Sequence, residues 1–333
     1  MKKPFLCIVT PALADANNGN WQTAQRWARL LAGHYRVHLA RQWPDADLAE
    51  ADVLLALHAR RSAASVAAWA ATGRPLVLAL TGTDLYRDIA QDASAQRSLL
   101  LAHRLIVLQE QGPLALPPEL RAKCRVVFQS GARRRTLPRT LSHLRAVMVG
   151  HLRDEKQPQT LFEAARLLRP DEGIRIDHIG TALDPALGEA ARRTALDCPH
   201  YRWLGGLPHE ATRRRIQRAH LLVHTSRMEG GAHVLMEAAL SGTPMLASHI
   251  PGNVGMLGSN YGGYFPPGDA PALVALLREC RRGMGAPAGR LAALHAQCEA
   301  RAPLFDPRAE QAALLGLLSE LTPFNESPLR SPR

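Results

Sequence analysis

The sequence predicts an α/β protein of two domains, each a doubly wound, mostly parallel sheet of the Rossmann-like kind. Three observations carry that expectation. The chain has 333 residues, about twice the ~150 residues of an average domain. Short apolar runs alternate with amphipathic stretches, the pattern of parallel strands joined by helical crossovers. Residues 131–144, rich in arginine with Pro138 inside, interrupt that alternation before a second cycle begins. Two such domains imply a cleft.

The elements follow in order. Residues 5–10, 35–40, 52–57, 75–80, 104–108 and 125–128 read as short buried strands, and residues 21–32, 62–71 and 95–102 as helices. The start of the chain resembles a signal peptide in its basic residues and Ala-x-Ala-like end. Its apolar centre from Phe5 to Val9 is short, however, and Thr10-Pro11 closes it, so it reads as a first strand. In the second cycle, strands are expected at 146–149, 175–179, 201–203, 221–224 and 245–247. Helices are expected from Pro158, over 232–240, 270–282, 290–300 and 310–320. The resulting boundaries are residues 1–142 for the first domain and linker, 143–302 for the second, 303–320 for a closing helix, and 321–333 for a disordered tail rich in Pro, Ser and Asn.

Composition narrows the function classes. Hydrophobic content of 46% and charged content of 21% are those of a globular protein, and no apolar run approaches the ~20 residues of a membrane span. Five cysteines without a Cys-x-x-Cys pair argue against a disulfide framework or a zinc site and for a reducing cytoplasm. His58, His224 and His233 lack the spacing of a metal set and read as core or supporting histidines. A net charge of +12 suits anionic partners. The triplets Arg133-Arg134-Arg135 and Arg213-Arg214-Arg215 are not interleaved with aromatics, so they read as solvated faces and nucleic acid is not expected as a partner. Of Trp21 and Trp27, which fall on different sides of one helix, at least one is expected in the core.

The most informative stretch is Glu229-Gly230-Gly231-Ala232 with Glu237 eight residues after Glu229. It lies where an apolar strand hands over to a helix that Gly242 ends and Pro244 prevents from continuing. Glycines there let an anion approach backbone N–H groups. Glu237 sits on an otherwise apolar helix, and burying it requires hydrogen-bond donors such as ribose hydroxyls. The alternative is that Glu237 points to solvent and Gly230-Gly231 is an ordinary turn.

Taken with two Rossmann-like domains, the Glu-x7-Glu spacing resembles the retaining glycosyltransferases of the GT-B fold, family four in particular, over most of the chain. Residues 149–156, Val-Gly-His-Leu-Arg-Asp-Glu-Lys, are similar to that family's Gly-Arg-x4-Lys diphosphate clamp. Trp203-Leu204-Gly205 is similar to its Phe-Leu-Gly strand, and Gly242-Thr243-Pro244 to its Gly-x-Pro turn. Segments 19–27, 57–62, 81–88 and 250–255 further resemble the selenosugar synthases of selenoneine biosynthesis.

The resemblance implies transfer of a sugar, typically N-acetylglucosamine, from a UDP-sugar to selenophosphate, giving a 1-selenosugar. It implies a catalytic set of Lys156, Glu229 and Arg153, and a donor grip of His151, Gly230, Gly231, Ala232 and Glu237. Acceptor-side candidates are Gly19, Asn20, Arg60, Thr81, Gly82, Thr83 and Asp84, with Arg61 and Arg87 as further bases. No metal or cofactor is implied, and no stable membrane association is expected. Three positions depart from the family pattern: His151 replaces the clamp arginine, Asn20 the second glycine near the first strand, and Thr81 a histidine. The first departure leaves Arg153 or another base to share the diphosphate with Lys156. An anionic selenium nucleophile makes a strong general base dispensable, which accommodates the third. Other readings are a glycosyltransferase with a carbohydrate or lipid acceptor, a nucleotide-sugar epimerase, and a non-catalytic nucleotide or nucleic-acid binder.

Overall fold

The structure, a computed structural model, describes residues 3–11, 19–45 and 48–321. The expected tail at 322–333 lies outside them. Two compact units emerge. Unit 1 comprises residues 1–108, 113–127 and the chain from Arg308 onward; unit 2 comprises 109–112 and 128–307.

Unit 1 contains β1 (Phe5–Val9), α1 (Gly19–Leu31), β2 (Arg36–Ala40), β3 (Val53–Leu57), α2 (Ala63–Ala70), β4 (Leu76–Ala79), a π-helical turn (Asp84–Asp88), α3 (Ile89–Gln91), α4 (Ala93–Leu101), β5 (Arg104–Val107) and β6 (Cys124–Val126). The strands form one sheet in the order β2-β1-β3-β4-β5-β6, all neighbours parallel. Strand periodicity sorts the side chains into two cores. Phe5, Cys7 and Val9 face one with Leu54, Ala56 and Trp69; Leu6 and Ile8 face the other with Val53, Leu55 and Trp27. Burial on both faces explains why β1, β3 and β4 read as continuous apolar runs, while the edge strand β2 alternates exposed and half-buried residues.

Unit 2 contains β7 (Leu144–Val149), a 3-10 turn (Asp154–Lys156), α5 (Gln159–Leu167), β8 (Ile174–Ile179), α6 (Pro185–Asp197), β9 (Tyr201–Trp203), α7 (His209–Arg218), β10 (Leu221–His224), α8 (His233–Ala239), β11 (Met245–Ser248), α9 (Pro251–Leu257), β12 (Tyr264–Phe265), α10 (Ala270–Arg282) and α11 (Arg290–Arg301). Its parallel sheet runs β12-β11-β10-β7-β8-β9. The chain first winds outward from β7 to β9, then restarts at β10 on the other side of β7. That is the Rossmann order, and its switch point lies between the carboxyl ends of β7 and β10.

Three helices of unit 2 go beyond the sequence expectation. α6 carries a readable start, with Asp184 accepting from the Ala186 and Leu187 N–H groups and Pro185 in the first turn. α7 buries only Thr212, Arg213, Ile216 and Gln217, too polar a stripe to register as apolar periodicity. α9 has glycines at 252 and 255, which lower its helix propensity. Residues 131–144 do not hang free as a linker. Arg134 N–H donates to the Leu240 carbonyl, Leu137 N–H to that of Gln217, and Leu144 already begins β7.

The last helix, α12 (Pro307–Ser319), belongs to unit 1. Leu314, Leu317 and Leu318 join the core around Trp27 and Leu31. Glu310, buried to 1% exposure, accepts from Trp27 Nε1 at 2.6 Å and from Arg26 Nε at 2.9 Å. Trp27 is thus the core tryptophan of α1. Removing one partner of such a pair strands the other. Glu310→Ala is expected to destabilise unit 1 by roughly 3 kcal/mol, read as a lower urea midpoint and faster hydrogen exchange in α12. An unchanged midpoint would remove Glu310 as the tie.

Candidate functional site

The switch point of unit 2 gathers most of the donor-side residues predicted from sequence. After β7 the chain runs through Gly150 and His151 into the 3-10 turn that carries Lys156, and Gln157 ends it in the left-handed region, φ 45°. Gly150 lies against the Lys156 stem, where a Cβ would make an ordinary contact at 3.4 Å. After β10 the chain runs through Thr225 to Glu229. The two loops are tied together: Thr225 Oγ1 donates to the Lys156 carbonyl at 2.7 Å, and Arg227 N–H to that of Glu155 at 3.0 Å.

The geometry that results is an ion pair. Lys156 Nζ lies 2.6 Å from Glu229 Oε1, with side chains only 16% and 12% exposed. His224 Nε2 lies 3.3 Å from the same oxygen. Burial alone would raise the Glu229 carboxyl, but the Lys156 charge and the His224 ring hold it well below the ordinary range. His224 is pushed down, chiefly by its burial, so it stays neutral beside an ionised Glu229. Gly252 of α9 supports the loop from beneath, where a Cβ would fall 2.0 Å from the Glu229 carbonyl oxygen.

Other predicted residues fall around this pair. Among the described residues, Arg153, 47% exposed, reaches no carboxylate closer than Glu155 at 3.9 Å. His151 Nδ1 accepts from Thr181 N–H at 3.2 Å, and burial, then Arg153 and Lys156, lower its pKa. It can accept or donate a hydrogen bond but does not add a fixed charge. Gly230 and Ala232 are buried and Gly231 half-buried between Glu229 and α8.

Glu237 does not point freely to solvent. His209 Nε2 lies 2.7 Å from its Oε1 and Arg213 NH1 3.4 Å from the same atom. Arg213, expected on a solvated face, is 3% exposed. His209 and Arg213 stand four apart on α7, one turn on one face; that spacing was the available signal for both. Burial would raise Glu237, yet His209 and Arg213 hold it lowered. The other charge run behaves as expected, with Arg134 pairing to Glu210 at 2.7 Å.

In unit 1 the acceptor-side candidates group at the carboxyl ends of β3 and β4. Asp84 is fully buried and accepts from the N–H groups of Ala59, Thr81 and Gly82 at 3.0, 2.8 and 2.9 Å. It therefore fixes two loops. His58, 1% exposed with φ 74°, places Nε2 3.2 Å from Thr83 Oγ1. Arg60 and Arg87 both bond Asp88, at 2.9 and 3.2 Å, a partner that offsets the basic cradle expected of them. Gly19 and Asn20 open α1, and a Cβ at Gly19 would meet nothing within 4 Å. Among the described residues no three His, Cys, Asp or Glu side chains group as metal ligands, all five cysteines are free and buried, and no helix is long and apolar enough to cross a membrane.

The family model described as "Glycosyl transferases group 1" matches residues 134–281, which contain Lys156, Glu229 and Glu237. No curated protein matches. Among solved structures, Alr3699/HepE from Anabaena in complex with UDP-glucose superposes with a TM-score of 0.72 at 16% identity, over 95% of this chain and 99% of that one. Sucrose-phosphate synthase from Thermosynechococcus elongatus gives a TM-score of 0.72 at 16% identity, over 96% and 99%. The pneumococcal O-GlcNAc transferase GtfA, solved with UDP and GlcNAc, gives 0.62 at 17%, over 81% of this chain and 57% of that one. The fold is GT-B.

Within its second GT-B unit, the Glu237–His209 contact makes a measurable signature. Its hydrogen bond to Glu237 raises the His209 pKa. A raised folded-state pKa gives stability that is present below the ordinary imidazole value near ~6.5 and is lost as pH rises through the raised value. His209 is expected to titrate above an ordinary histidine by NMR, and Glu237→Gln to lower it. An ordinary value in the wild type would break the pairing.

Proposed function

We propose that the protein is a UDP-sugar-dependent glycosyltransferase, and that it passes N-acetylglucosamine to selenophosphate. The observation that carries the first part is the buried Lys156–Glu229 pair at the Rossmann switch point, inside the stretch matched by the group 1 family. The UDP and UDP-glucose complexes of Alr3699/HepE support the choice of donor. The second part rests on the resemblance of segments 19–27, 57–62, 81–88 and 250–255 to selenosugar synthases.

In this reading the bond between the anomeric carbon and the diphosphate oxygen breaks, and negative charge grows on the departing UDP. Lys156 and Arg153 meet that charge, together with the Gly230-Gly231 amides, as preorganised donors in a partly desolvated site. Glu229, ionised beside Lys156, accepts hydrogen bonds from the hydroxyls of the transferred sugar. Glu237, steadied by His209 and Arg213, holds the ribose. A carbon–selenium bond forms to selenophosphate, and water then cleaves the selenium–phosphorus bond to release phosphate. His151 and Ala232 contribute shape and neutral hydrogen-bonding groups.

Lys156→Met is expected to lower the rate of UDP release on the order of 10²–10³-fold, with near-UV circular dichroism reporting that unit 2 remains packed. Near-normal rates in a folded variant would take Lys156 out of the chemistry. The acceptor is tested separately, by mass spectrometry after incubation with several UDP-sugars, with and without selenophosphate. A selenium-containing sugar formed only with selenophosphate is the expected result. UDP release that ignores selenophosphate but responds to a carbohydrate or lipid acceptor would overturn that acceptor and leave the donor half standing. Salt-sensitive RNA binding with no UDP release would overturn both.

A further inference from the structure

At the opposite edge of the unit 2 sheet, where β7, β8 and β9 begin, lies a cavity of about 440 Å³ whose walls include Ser142, His143, Gly173, Arg175, His200 and Arg202. Arg145 on β7 and Arg175 on β8 stand directly opposite one another in register, and like charges so placed destabilise a strand pair. Neither guanidinium has an ion-pair partner among the described residues. The acids nearby are already engaged: Asp177 by Arg202 and Arg215, Glu172 by Arg278, and Asp171 by Arg169. From α10, Arg281 reaches in to donate to the Ser142 carbonyl at 3.0 Å. It lies where a Cβ on Gly173 would stand 2.9 Å from its Nε, at φ +67°. The left-handed backbone at 173 favours glycine.

We infer that this amino-terminal edge of unit 2 is a second site, which binds a small phosphate-bearing molecule. Guanidinium groups match phosphate oxygens in geometry and charge; Arg175 and Arg202 line the cavity, and a phosphate held by Arg175 would offset its repulsion with Arg145, its register partner on β7. His143 adds a neutral donor or acceptor beside Ser142 Oγ, 2.9 Å away. Its ring is pushed down by burial and then by Arg175, Arg145, Arg281 and Arg202, as expected where positive potential converges. The volume suits a phosphorylated sugar better than a bare ion, and no Phe, Tyr or Trp lines it for base stacking. The site is distinct from the Lys156–Glu229 pair: Arg145 and Val149 are separated by roughly 13 Å of strand, and Lys156 lies beyond Val149.

Calorimetric titration with glucose 6-phosphate, inorganic phosphate and glucose, at matched ionic strength, tests the inference. The two phosphates are expected to bind saturably and glucose not to bind. Arg145→Gln with Arg175→Gln is expected to weaken binding at least tenfold, while Lys156→Met leaves it unchanged. The double Gln variant should melt no lower than the wild type without ligand, because it removes a repulsion. His143 should shift toward protonation by NMR as phosphate is added. Absence of saturable binding, binding indifferent to the two arginines, or binding lost in Lys156→Met would each overturn the inference. So would tight binding of a short RNA duplex without glucose 6-phosphate binding, which would make the edge a nucleic-acid surface.

Discussion

The restart of the chain at β10 on the far side of β7 is the constraint on which the donor-side site depends. It brings two loops that are 73 residues apart in sequence to one point, so that Lys156 and Glu229 meet at 2.6 Å. Taking two charges out of water is costly, and their mutual attraction offsets that cost only when geometry is good and the remaining hydrogen-bonding positions are filled. The surroundings hold both partners in place. His224 approaches the same carboxylate, the Lys156 carbonyl is fixed by Thr225, and Gly252 lets α9 pass directly under Glu229. The pair is thus held by neighbours that have no charge of their own to spend.

The non-glycine residues with positive φ mark the same logic in both units. Gln157 follows β7 and His58 follows β3, each just past a carboxyl end where parallel sheets present ligand-binding loops. Such conformations cost of order 1–3 kcal/mol and persist where surrounding contacts over-determine them. Around His58 those contacts are visible: Asp84 ties three backbone N–H groups, one of them at Ala59 next to His58.

How much of this was legible in sequence follows from the range of each interaction. The central strands, such as β1, β3, β4 and β10, were legible because both sheet faces are buried there and each reads as an apolar run, whereas the two-residue β12 gave no such signal. Glu229 and Gly230-Gly231 could be placed between a strand and a helix because the spacing of such a turn is local, whereas Lys156 was named only through the family resemblance. Arg213 was not, because its four-residue spacing from His209 on α7 gains meaning only with the carboxylate 24 residues later that both contact. The π-helical turn at Asp84–Asp88 was not legible either, since Asp84 is buried through hydrogen bonds to loops from two strands. α7 escaped because its inward face is Thr, Arg, Ile and Gln rather than a hydrophobic stripe.

The same asymmetry bears on the acceptor side. Arginines at the ends of β3 and β4 invite assignment as an anion cradle, yet Asp88 accepts hydrogen bonds from Arg60 and Arg87, and these bonds keep its carboxyl low against its own burial. An anion entering there competes with a carboxylate already in place, gaining only the difference between two charge-assisted sets of bonds. Such an arrangement favours a ligand with more negative charge than one carboxylate, or one able to bridge Arg60 and Arg87 together with Arg61. A doubly charged nucleophile meets that requirement, whereas a neutral hydroxyl would leave the Asp88 network intact and use Thr81, Thr83 and His58 instead.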